Sequence, residues 1–180
     1  MKVILCTPTI TLPYPAYIEA MERSVPALDA AGIKHQIVFE VGSTYISWAR
    51  ANMLMKAMQT EADAFVFIDH DMEWQPEDLV KLIQHPGDVA AGTYRYKQDE
   101  VEYMGTWSTE EDHRPTIRED GTLKGHGVPA GFLKVTRTAV KKFKAAYPEL
   151  IFGKDGEYLD LFNHGACDGL WWGEDFAFCR

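Results

Sequence analysis

The segment that most constrains this chain is Ala64-Phe65-Val66-Phe67-Ile68, an unbroken apolar run closed by Asp69-His70-Asp71. An apolar run without polar alternation reads as a strand buried on both faces, the pattern of a parallel α/β sheet. In open sheets of that kind, ligands lodge beyond the carboxyl ends of the strands. Two carboxylates flanking one residue at such an end are able to face one divalent cation. Hard cations such as Mg²⁺ and Mn²⁺ take oxygen ligands and share them with substrate phosphates. The run therefore predicts a metal–diphosphate site with Asp69 and Asp71 as the metal ligands. An isolated Asp-x-Asp is more often the start of a solvated loop. The strand in front of it and a second acidic pair, Glu174-Asp175, favour the site.

The rest of the chain sets wider bounds. With 180 residues, 46% of them hydrophobic, the chain is long enough for one substantial core, and a single domain over 1–180 is expected. The formal charge of −9 disfavours nucleic acid and anionic membranes as partners. Cys6, Cys167 and Cys179 are odd in number and form no CxxC pair, which argues for reduced thiols and a cytoplasmic location. The apolar start, Val3 to Cys6, is too short for a signal peptide and runs into Pro8. No stretch approaches the ~20 apolar residues of a membrane span.

Strands and helices alternate through the first half. Val3 to Cys6 reads as a strand, followed by a helix from about Tyr14 to Ala31 that Pro26 should kink or end. His35 to Val41 reads as a second strand, and Ser43 or Thr44 as the cap of the next helix. After the Asp69-His70-Asp71 strand come a short helix opened by Pro76 and a strand from Asp88 to Ala91. This alternation predicts a three-layer α/β/α, Rossmann-like fold with a mostly parallel sheet. Beyond Gly92 the rhythm changes. Glu102–Ser108 and Pro115–Leu123 read as meandering strands with a turn at Asp120-Gly121, giving a small antiparallel part in the second half. Ala130 to Val135 reads as a further strand, and Thr136 or Thr138 as a helix cap.

Several side chains are candidates for chemistry. Glu174-Asp175 follows Trp171 and Trp172, and a carboxylate among aromatics is desolvated, which raises its pKa and suits a general base. Taken alone, the pair would be an ordinary helix start. Arg50 and Asn52 lie on the helix after the second strand, where an arginine is able to grip phosphate and an asparagine to read a base or sugar. A solvated helix face is an equal alternative for both. Arg95 is a second candidate phosphate or acceptor contact, and Thr7, Pro8 and Thr9 end the first strand, where a nucleotide base would lodge or the chain would simply turn. By strand alternation His70 points away from the metal-binding carboxylate and takes a supporting role at the edge of the nucleotide site. One of Trp171 and Trp172 is a candidate for stacking on a sugar, with Trp172 chosen. His126, His164 and Cys167-Asp168 match no zinc spacing and are read as structural.

Three segments together, Phe65 to Asp71, Val128 to Phe143 and Trp172 to Arg180, resemble the GT-A glycosyltransferases, and specifically the family 2-like nucleotide-sugar transferases. The run Ser47-Trp48-Ala49-Arg50-Ala51-Asn52 resembles a segment of phage and bacterial members. The resemblance implies a GT-A fold with a nucleotide-binding half over 1–95 and an acceptor-side half over 96–180. It implies a UDP- or GDP-sugar donor, Mn²⁺ or Mg²⁺ as cofactor, and an acceptor hydroxyl on a carbohydrate. Asp69 and Asp71 match the metal and nucleotide motif. Asp175 matches the base for inverting attack, with Glu174 in support. Thr7 to Thr9, Glu40 and Gly131 fall at positions that hold the donor. Family members continue past the Glu-Asp helix and often supply a late histidine to the metal. This sequence ends at Arg180 and so reads as truncated at its C-terminal end, with His164 or water in that histidine's place. Two other classes compete: a non-catalytic or truncated nucleotide-sugar-binding domain, and a nucleotidyltransferase. The second would want a glycine-rich basic loop after the first strand, and Thr7-Pro8-Thr9-Ile10 is not one.

Overall fold

In the computed structural model, which describes residues 1–179, the first half alternates as its apolar pattern requires. The elements are β1 (Lys2–Thr9), α1 (Pro15–Ala30), β2 (Lys34–Val41), α2 (Ile46–Met58), β3 (Ala64–Ile68), α3 (Pro76–Gln84) and β4 (Val89–Ala91). The second half holds β5 (Thr106–Trp107), β6 (Gly125–Gly127), β7 (Phe132–Thr136), α4 (Arg137–Ala146), β8 (Ile151–Phe152), β9 (Tyr158–Leu159), β10 (Gly165–Cys167), β11 (Leu170–Trp172) and α5 (Glu174–Cys179). Arg180, the last residue of the segments that carry the resemblance, lies outside the described residues. Among the described residues no helix is long and apolar enough to cross a membrane.

The main sheet corrects the expected fold. Its order is β2-β1-β3-β7-β4, and β7 runs antiparallel to both of its neighbours. The sheet is therefore mixed, and the small antiparallel elements stand apart from it as three separate two-stranded sheets, β5-β6, β8-β9 and β10-β11. A three-layer, Rossmann-like GT-A sheet of mostly parallel strands is not what this chain forms. The physical reason lies between Ala91 and Phe132. A parallel neighbour needs a crossover, usually a helix. Here no helix intervenes, and the chain returns to pair β7 between β3 and β4 from the opposite direction.

β3 is buried at every residue, which accounts for its unbroken apolar sequence. One face of the sheet packs Val3, Leu5 and Val66 against Tyr17 and Leu28 of α1 and Leu79 and Ile83 of α3. The other packs Ile4, Phe65 and Phe67 against Met53 and Leu54 of α2 and Val140 of α4.

Three local expectations change. Pro26 does not end α1, which continues to Ala30. The N-cap of α2 is Tyr45 without a side-chain bond, because the Ser43 hydroxyl donates to the Tyr45 carbonyl instead of capping. Thr136, rather than Thr138, caps α4 by accepting the Ala139 N–H at 3.1 Å. The turn at Asp120-Gly121 forms, with Gly121 at φ +77° and its N–H donating to the Arg118 carbonyl.

Candidate functional site

The carboxyl end of β3 delivers Asp69 beside the start of β7. The Asp69 N–H donates to the Gly131 carbonyl at 3.0 Å, which continues the β3–β7 ladder one step past the strand. Gly131 is needed there: a Cβ would meet the Tyr94 hydroxyl and lie 2.7 Å from Asp69 Oδ2. Its N–H donates to Tyr94 Oη at 3.1 Å. Burial, then the Asp69 charge, push the Tyr94 phenol well above its ordinary range, so it stays protonated and is a donor toward this corner.

Arg50 is the centre of the arrangement. Its side chain is only 1% exposed, its Nη2 donates to Asp69 Oδ1 at 2.9 Å, and its Nη1 donates to Glu174 Oε1 at 3.3 Å. The guanidinium sits over the Phe162 ring, 5.1 Å from its centroid. Its Nε is buried with no hydrogen-bond partner among the described residues. A buried guanidinium demands anionic partners, because its desolvation is costly unless compensated. Two carboxylates far apart in the chain, Asp69 and Glu174, supply them. Asp175, next to Glu174, is held above the usual carboxylate range, first by burial and then by the charge of Glu174. The Phe176 N–H, donating to Asp175 Oδ1 at 2.8 Å, and the Arg50 charge only partly oppose this. The corner thus holds one carboxylate fixed by arginine (Asp69), one shared with it (Glu174) and one proton-hungry carboxyl (Asp175).

The other anticipated residues divide. Asp71 pairs with Lys97 from the loop after β4. His70 turns away, its ring 5.7 Å from that of Tyr14 and its carbonyl accepting the Tyr14 N–H. Glu40 accepts from Asn52 Nδ2 at 2.8 Å and from Lys56 Nζ at 3.1 Å, so Glu40 and Asn52 form a cluster of their own between β2 and α2. Thr7 is fully buried with its hydroxyl against that of Tyr17. Pro8 is buried opposite Glu40, and the Thr9 hydroxyl donates to the Thr11 carbonyl. Arg95 is exposed, its backbone bridged to Tyr103. Trp172 is half-buried in the β10–β11 hairpin and donates its indole N–H to the Cys167 carbonyl at 3.3 Å.

Sequence reasoning missed Tyr94 and Lys97. The sequence alone favours the charged Arg95 over its neighbour Tyr94, yet adjacent residues leaving a strand point to opposite sides. Lys97 carries no local signal, since only the path of the loop brings it to Asp71.

Asp69 and Asp71 supply the hard oxygen donors that Mg²⁺ or Mn²⁺ prefers, and Arg50 bonds Asp69 Oδ1, leaving Oδ2 beside the Tyr94 hydroxyl that fills the space next to Gly131. Among the described residues no three His, Cys, Asp or Glu side chains converge as a ready-made cage. Mg²⁺ ordinarily needs only one or two carboxylates when substrate phosphates complete its shell, so the donor set fits such an ion. No protein-family model matches this sequence, and no curated protein matches it.

Proposed function

We propose that this chain transfers a sugar from a nucleotide-diphosphate sugar to an acceptor hydroxyl, with Asp175 as the base. The observation that carries the reading is the Arg50 bridge, which joins Asp69 at the end of β3 to Glu174 beside Asp175, with Arg50 and Glu174 124 positions apart in sequence. A raised carboxyl pKa in a partly desolvated corner is what a general base requires. Asp175 takes the proton of an acceptor hydroxyl. The freed oxygen attacks the anomeric carbon, and the bond from that carbon to the diphosphate breaks on the opposite face, inverting the centre and releasing the nucleoside diphosphate. Glu174, fixed by Arg50, keeps α5 in place while Asp175 works. The protonated Tyr94 hydroxyl donates toward oxygens held beside Asp69. Asp69 and Asp71 would hold Mn²⁺ or Mg²⁺, which when bound supplies electrostatic stabilisation to the departing diphosphate.

Titration calorimetry with UDP and GDP, with and without Mn²⁺, tests the donor half of this reading. The expected result is binding of one nucleotide only when the metal is present, lost in Asp71→Ala. Sugar transfer lost in Asp175→Asn, with nucleotide binding kept, tests the chemical half. A second reading, a nucleotide-sugar-binding domain without turnover, is favoured by the pairing of Asp71 with Lys97, which neutralises an expected metal ligand. It predicts the same binding with no transfer to any acceptor.

A further inference from the structure

The main sheet ends on two unlike edges. β4 closes one side with three residues, a strand short enough to leave little edge to pair. β2 closes the other with eight, Lys34 to Val41, in unbroken register with β1 and with neither a proline nor a bulge to blunt it. Helices α1 and α2 pack on the two faces of the sheet, and among the described residues no strand covers this edge. We infer that β2 is a homodimer interface, at which a second copy lays its own β2 antiparallel and joins the two five-stranded sheets into one.

The backbone sets which residues meet. The Lys34 N–H donates to the Met1 carbonyl at 3.0 Å and the Gly42 N–H to the Thr9 carbonyl at 2.9 Å. The even-numbered residues between them therefore turn their polar backbone groups toward β1. Successive residues of a strand alternate, so those of His35, Ile37, Phe39 and Val41 face the open edge. A row of unpaired N–H and carbonyl groups is a template for another strand. A two-fold axis normal to the sheet sets odd residues against odd and even against even, so the outward groups of both copies meet.

Charge selects one register. Lys34 and Glu40 lie three residues before and three after Ile37. With Ile37 on the axis, Lys34 stands opposite Glu40 of the second copy, on the face covered by α2, and symmetry repeats the pair. These are the non-hydrogen-bonded positions, where opposed Cα atoms come within about 4.5 Å. Glu40 already accepts one hydrogen bond at each oxygen, from Asn52 and from Lys56, and each oxygen keeps a second lone pair for the incoming ammonium. On the other face Ile37 meets Ile37, and His35 meets Phe39, which is 42% exposed in the single chain. Sliding by two residues sets Lys34 against Gly42 or Val38 and leaves its charge unanswered. One partner uses up the β2 edge, so the assembly closes at two, with the carboxylate corners opening at opposite ends.

Sedimentation velocity of the full chain from about 1 to 100 µM tests the interface, and the expected result is a dimer. Lys34→Glu, at an exposed position, sets like charges against Glu40 twice per dimer and should weaken association about tenfold. Ile37→Cys should link to itself on oxidation, because hydrogen-bonded partners about 5.5 Å apart in Cα suit a disulfide. Phe39→Cys should not, since its two copies stand about 14 Å apart. Mass spectrometry of the joined peptide separates this link from one made by Cys167 or Cys179. Circular dichroism shows whether each variant is folded, and the wild-type sedimentation stands without any variant. A wild-type chain that stays monomeric overturns the interface. So does a dimer that Lys34→Glu leaves intact and in which Ile37→Cys forms no link to itself, because another surface then holds it together.

Discussion

From Lys2 to Ala91 the chain is built on strands of up to eight residues, held in register by parallel ladders and covered by helices on both faces. Among the described residues from Gly92 onward only β7 joins that sheet, and the remaining strands have two or three residues each. Positive φ values concentrate here too, at Gly105, Gly121, Gly153, Gly156, Gly165 and Gly169 and also at His113 and Asp168, so turn chemistry rather than periodicity directs the path. The first region contributes rigidity and the fixed carboxylate Asp69. The second contributes Tyr94, Lys97, Glu174 and Asp175. The candidate site lies where they meet, which places precise geometry on one side and adjustable loops on the other.

The largest expected effect is in the first region. Phe67 is fully buried and meets the Phe162 ring edge-on at 5.0 Å, so Phe67→Ala should cost about 3–5 kcal/mol in urea unfolding. A loss under about 1 kcal/mol would break the contrast between a rigid and an adjustable half.

Next comes the joint between the halves. Arg50→Met leaves Asp69 and Glu174 without their cation. A fully buried pair would lose about 3–5 kcal/mol, but these carboxylates are 25% and 30% exposed, which lowers the expectation to about 2–3 kcal/mol. Amide exchange should quicken in α5 more than in β3. Equal quickening in both would deny that Arg50 ties the C-terminal helix down.

A smaller effect belongs to Asp175. Its folded carboxyl keeps its proton to higher pH than the unfolded chain does, so the folded state binds more protons through the ordinary carboxylate range and just above. Its contribution to stability is full below that range and declines as pH rises through the raised value. Asp175→Asn should flatten this decline in a pH series of melting points. Turnover should run the other way, rising with pH as the base deprotonates. A turnover limb at the ordinary aspartate position would separate Asp175 from the base role.

Smallest of all is Ile117→Ala in the exposed meander, where the side chain is 68% exposed and a change within about 0.5 kcal/mol is expected. A larger loss would show that the meander is held as firmly as the sheet.

Legibility followed the same division. β3 was readable because burial on both faces leaves only apolar residues, and the helices because their apolar spacing matches one face. The sheet's mixed character was not readable, since an apolar strand such as Phe132 to Thr136 looks alike in either direction. Asp69 and Asp71 were legible as a pair, but their partners were not. Arg50 could be named as a candidate yet looked as much like a solvated residue, because nothing local reveals that a helical arginine will be fully enclosed.

By itself, then, the sequence determined that Ala64–Ile68 forms a buried strand ending in acids, that helices follow the early strands, and that Asp120-Gly121 turns the chain. Those are local matters of periodicity, burial and backbone freedom. Only the tertiary structure decided that β7 enters the sheet antiparallel, that Arg50 bridges Asp69 and Glu174, and that Tyr94 rather than Arg95 reaches Gly131. Each of these joins residues far apart in the chain, and such contacts are set by how the whole core closes rather than by any local rule.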